Sequence, residues 1–239
     1  ALELAPINGT PQQQELREGA QMRSARWALD DRDAHGALER LGQLPHGAAR
    51  RTIALRIRLK ATRLAQQTQA ALETARLLGK HRAFSPEASA SLMRSLLLEQ
   101  IHTAHDAPQL LAAWQQLEPR ECQQPELAIP AARKLVALGG SSSLAREWLL
   151  PVWEEQLRNP QALRSAHSTA LFVALQESLD DLDGAWLARI EAALHSAPYN
   201  ARLQYLAGMA CLQRQLWGKA QQLLGQSTAQ LRDAPLLHS

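Results

Sequence analysis

Valine occurs three times in this 239-residue chain and isoleucine six times, and aromatic residues make up only 4%. Strands draw on β-branched and aromatic side chains, so so little of either excludes a β-rich or α/β fold. Cysteine is just as sparse. Cys122 and Cys211 are the only two, too few for a disulfide framework or a multi-cysteine metal cluster, and they point to a reducing compartment. No stretch approaches the roughly 20 apolar residues that a membrane span needs. The opening ALELAPINGTPQQQ has neither a basic head nor an apolar run, so no secretory signal is expected there. It also lacks an initiator Met, which predicts a piece of a longer protein with any anchor lying upstream.

What is present is Leu and Ala at helical spacing. Hydrophobic residues make up 46% and charged residues 21%, a globular composition. Leu203, Leu206, Ala207, Ala210 and Cys211 follow the spacing of an amphipathic helix, and so do Leu216, Ala220, Leu223 and Leu224. The same reading along the chain predicts six helical hairpins: 13–28 with 33–43, 49–65 with 68–79, 86–103 with 107–118, 125–138 with 142–156, 161–179 with 184–196, and 201–214 with 217–231. Ser85-Pro86, Asp106-Ala107-Pro108 and Gly139-Gly140-Ser141 supply the expected caps and turns. The expectation is an all-α, tetratricopeptide (TPR)-like α-solenoid of about six antiparallel pairs, forming one repeat domain over 1–239. Its best unit is 198–231, where Pro198, Gly208, Ala220 and Leu224 fall at the repeat's offsets. In that register Gly208 and Ala220 mark the closest approach of the two helices. The first helix then turns Arg202, Tyr205, Met209, Leu212 and Gln213 toward a concave groove suited to a protein partner.

Charge is uneven. The net charge of +3 comes from residues 45–82, which hold nine basic side chains against Glu73 alone. Within them Arg56, Lys60 and Arg63 form one row on a helix, Arg51 and Arg58 are expected as a second row beside it, and Ile53, Ile57 and Leu64 as the buried face. Such a row is either a solvated helix face or an electrostatic contact with anionic lipid or an acidic partner. Nucleic acid is disfavoured, because the tryptophans are not interleaved with these cations.

No catalytic constellation stands out. There is no phosphate loop, zinc-protease motif or nucleophile elbow, and the paired acids at 30–31, 154–155 and 180–181 sit near helix ends. His102 and His105 are the only close histidine pair and lack a third ligand, so no metal site is expected. The six tryptophans read as packing residues, Trp153 being the one left open, and Cys211 as a small core residue. The protein is therefore expected to be non-enzymatic.

The strings RLKATRL, ALETARLLGKHRAFSP, PELAIPAARKLVALGGSSSLAREWLLPVW and LQYLAGMACLQRQLWGKAQQLL resemble the C-terminal part of the bacterial HemY family over most of residues 50–225. The resemblance implies an inner-membrane protein with two N-terminal membrane helices, neither in this chain, and a cytoplasmic TPR-like part. It also implies an association with haem biosynthesis, and so haem-biosynthesis enzymes as candidate partners. No cofactor is expected, although Tyr205 and Met209 share one helix face and keep haem or porphyrin binding open as the alternative.

Overall fold

The computed structural model describes residues 10–159 and 166–232, and among them the protein is all-α, with fourteen helices and no strand. In chain order these are α1 (Pro11–Asp30), α2 (Ala34–Gly42), α3 (His46–Ala49), α4 (Thr52–Leu64), α5 (Thr68–Lys80), α6 (Pro86–Thr103), α7 (Ala107–Gln115), α8 (Pro119–Cys122), α9 (Pro125–Ala137), α10 (Ser142–Arg158), α11 (Ala166–Glu177), α12 (Gly184–Ser196), α13 (Ala201–Gln213) and α14 (Trp217–Arg232). Twelve of them match the expected segments to within a few residues. The other two, α3 and α8, are single turns in connections read as loops. Of the expected 161–179 helix, residues 161–165 lie outside the described residues.

Local chemistry sets the boundaries. Asp33, Asp106, Ser141, Asp183 and Asn200 each accept the backbone N–H three residues on and so start α2, α7, α10, α12 and α13. Helix ends repeat one device. Arg32, Gln66, Arg82, Gly139 and Gln215 take positive φ. Each is followed by a residue whose N–H reaches back across the turn, from Asp33 to the Ala28 carbonyl, Gln67 to Thr62, Ala83 to Leu78, Gly140 to Leu135 and Leu216 to Cys211. That is the Schellman closure, and at four of these five turns a non-glycine residue occupies the left-handed position. Arg32 and Gln66 stand 34 residues apart, as do Gln215 and a further positive-φ residue, Asp181.

The chain forms two compact units, residues 1–100 and 101–239. In the first, α4 packs against α1, α2, α3 and α5. The contact surface is built largely from small residues: Ala25, Ala48 and Ala54 lie with Leu41, Leu44 and Ile57, while Ala28, Ala37 and Ala61 form a second cluster. Alanines at these points let helix backbones approach closely without leaving voids.

In the second unit α9 packs on α10 and α11, α11 on α13, and α13 on α12 and α14. Aromatic rings fill the wider gaps. Trp114 stacks on Trp148 with centroids 4.3 Å apart, and the fully buried Trp153 meets Phe172 edge-on and Trp186 at a tilt. Packing therefore accounts for Trp153, but not for Trp27 and Trp217, which are 64% and 65% exposed. Both lie at positions that helical spacing alone had counted as apolar packing sites. Arg146 of α10 is a buried cation. Its guanidinium donates to the carbonyls of Ser178, Asp180 (2.8 Å) and Asp181 (3.0 Å), just past the end of α11. Burial lowers its pKa, while Asp183, Asp181 and Asp180 pull the other way. A guanidinium carries enough donors to satisfy several helix-end carbonyls together.

Candidate interaction surface

The five residues assigned to a groove lie along one side of α13. Arg202, Tyr205, Met209 and Leu212 are half-buried and Gln213 is exposed, whereas Leu203, Leu206, Ala207, Ala210 and Cys211 are buried. The helix thus splits into a core face and an open face, as its spacing predicts. Gly208 lies within the core face, and a Cβ built there would come 2.7 Å from Leu224 Cγ on α14. Ala220 is also fully buried.

The structure adds two helices that the sequence reading left out of this surface. Arg202 donates to Thr169 Oγ1 of α11, joining α13 to its neighbour. On the far side of α11, Glu177 takes a two-pronged ion pair from Arg133 of α9, both bonds 2.7 Å. His167 stands 3.8 Å from Glu126. Glu126 and His167 both lie in the first turns of their helices, and Arg133 and Glu177 both lie toward the far ends. The two helices therefore run parallel. The hydrogen bonds to Glu177 raise the Arg133 pKa. Ala170 and Val173 lie on the open side of α11 between these contacts, and Val173 is exposed. The result is a strip across α9, α11 and α13 that is tied together by the Arg133–Glu177 ion pair and the Arg202–Thr169 hydrogen bond, with Val173 exposed and Tyr205, Met209 and Leu212 half-buried along it. Residue spacing within one helix cannot reveal it, because the strip depends on which helices become neighbours.

The basic segment divides differently from its expected layout. Arg56, Lys60 and Arg63 are exposed on α4. Arg51, itself exposed, reaches across to α1 and pairs with the buried Glu18 at 3.1 Å. Arg58 follows Arg56 by two residues, which turns it about 200° round the helix. It lines an open cleft of about 270 Å³ with His35, Leu38, Thr62 and Gln67. Arg51 and Arg58 therefore do not form a second row beside the first. The expected buried face fails as well. Ile57 is buried, but Ile53 and Leu64 are 65% and 45% exposed. α4 carries apolar residues in nearly every direction, so period alone could not choose its inner face. The neighbours chose the Ala54–Ala61 and Leu55–Leu59 sides.

Among the described residues no group of three or more His, Cys, Asp or Glu side chains could hold a metal ion. His102 lies in the last turn of α6, where its carbonyl accepts from Lys134 Nζ at 3.2 Å, and His105 lies beyond the helix. No described helix is long and apolar enough to cross a membrane. Cys211 is fully buried and Cys122 half-buried, and burial raises both thiol pKa values.

No family model, curated protein or solved structure matches this chain.

Proposed function

We propose that this protein is a non-catalytic, TPR-like scaffold whose second unit holds a protein partner along the strip formed by α9, α11 and α13. The observation that carries this reading is the strip itself: three neighbouring helices joined by the Arg133–Glu177 ion pair and the Arg202–Thr169 hydrogen bond, with an aromatic ring, a thioether and two aliphatic side chains at least partly accessible along it. Tyr205 supplies a rigid anchor and Met209 an adaptable one, a combination common at protein-recognition surfaces. Support for TPR-like stacking comes from the 34-residue spacing of the positive-φ turn residues, the length of that repeat. The close approach of Leu224 to Gly208 supports it too. The resemblance to the HemY family suggests the setting: an inner-membrane protein associated with haem biosynthesis, with enzymes of that pathway as candidate partners.

A photo-crosslinking residue placed at Tyr205 or Met209 of the full-length protein in cells tests this. A discrete crosslinked partner is expected from those positions and not from the exposed Gln222 on α14. Equal labelling from all three would refute the strip as the binding face. A haem titration separates the tetrapyrrole reading of the same face. A Soret shift saturating below micromolar and lost in Tyr205→Phe or Met209→Ala would replace a protein partner with haem.

A further inference from the structure

We propose that the outward arc of α4, in the first unit, is a docking surface for an anionic lipid bilayer. Ile53, Arg56, Lys60, Arg63 and Leu64 recur at helical spacing and fall within an arc of about 100°. All five are exposed. Between Ile53 and Leu64 the arc runs about 16 Å along the axis at 1.5 Å per residue. Three cations are thus bracketed by an aliphatic side chain at each end.

The charges have little internal use. α4 contains no acidic residue, so none of its cations gains an acidic neighbour one turn away on the same helix. Lys60 and Arg63 make no hydrogen bond or ion pair among the described residues. Arg56 is held in place by donating to the Ala83 carbonyl at 2.7 Å and lying 5.5 Å from the centroid of the Phe84 ring. Neither contact neutralises it. The arc therefore presents three like charges within three turns, a repulsion that an external anionic surface relieves.

The apolar residues identify that surface as a bilayer. Ile53 and Leu64 gain nothing from a phosphate backbone in water, whereas a lipid interface takes aliphatic side chains into the acyl boundary while headgroups meet the cations. α4 itself carries no aromatic ring on which a base could stack, and the nearby Phe84 ring is already engaged by Arg56. This surface lies in the first unit and does not depend on the partner strip of the second.

Co-sedimentation of the whole chain with phosphatidylserine–phosphatidylcholine vesicles, against phosphatidylcholine alone, tests the proposal. Binding to the anionic vesicles only is expected, weakening as salt rises. Each cation near an anionic surface is worth up to about fivefold in partitioning, so the double variant Lys60→Glu, Arg63→Glu should bind more than tenfold more weakly. Arg58→Glu, on the opposite side of the same helix, makes half the net-charge change of the double variant and should change binding by less than about threefold. Ile53→Ser with Leu64→Ser should weaken binding while leaving its salt dependence intact. All these side chains are exposed, and circular dichroism checks that each variant stays folded. Equal binding to neutral vesicles would overturn the proposal. So would a loss from Arg58→Glu matching that of the double variant. An unaffected Ile53→Ser, Leu64→Ser variant whose binding is fully competed by duplex DNA would show a general polyanion site instead of a bilayer contact.

Discussion

Substituting Gly208→Ala sets two known effects against each other at one atom. Alanine in a helix interior is favoured over glycine by about 1 kcal/mol, and Gly208 lies well inside α13. The new Cβ, however, would sit 2.7 Å from Leu224 Cγ and 2.8 Å from its Cδ2, with the Leu224 backbone nitrogen at 3.3 Å. Carbon atoms pack best from about 3.5 Å, so Leu224 must retreat by about 0.8 Å or change rotamer. Overpacking of this kind costs about 1–3 kcal/mol. The packing cost exceeds the propensity gain, and a net loss of about 1 kcal/mol is expected, or a fall of about 2–4 °C in Tm for a chain of this size. The decisive measurement is a double-mutant cycle with Leu224→Ala. Truncating Leu224 removes the Cγ and Cδ2 clashes and leaves only the 3.3 Å contact with its backbone nitrogen, so Gly208→Ala should then stabilise by up to about 1 kcal/mol. Thermal melts of the four proteins read this inversion of sign directly. An equal effect of Gly208→Ala in both backgrounds would show that α13 and α14 do not meet at this point.

Two further outcomes follow from buried groups. Arg146→Met should destabilise by about 3 kcal/mol, because three charge-assisted hydrogen bonds are lost and the buried Ser178 carbonyl loses its guanidinium donor; a loss below about 1 kcal/mol would mean that water replaces the guanidinium. For the thiols, burial raises the folded pKa, so the stabilisation is complete below the ordinary thiol pKa and disappears as pH climbs through the raised one. A thiol-disulfide reagent at mildly alkaline pH should therefore label Cys122 slowly and Cys211 only after unfolding, and Cys211→Ala should flatten the alkaline loss of stability. Immediate reaction of both thiols would contradict the burial of Cys211.

The amino-acid sequence by itself determined the helices. Scarce β-branched residues, Leu and Ala at helical spacing, and polar caps such as Asp106, Ser141 and Asn200 are local properties. Backbone hydrogen bonds within each segment then set its limits almost without reference to the rest of the chain. The core face of α13 was legible for the same reason, since its apolar residues cluster on one side. α4 was not legible in that way. With apolar residues all round, its inner face was chosen by the alanine-lined surfaces of its neighbours, which turned Ile53 and Leu64 outward and sent Arg51 to Glu18. Tertiary structure alone also brought Arg133 to Glu177, placed Arg146 over the end of α11, and joined α9, α11 and α13 into one strip. Those contacts link residues more than thirty positions apart. Periodicity reports which way a side chain points from its own helix, whereas only packing decides which neighbour it meets.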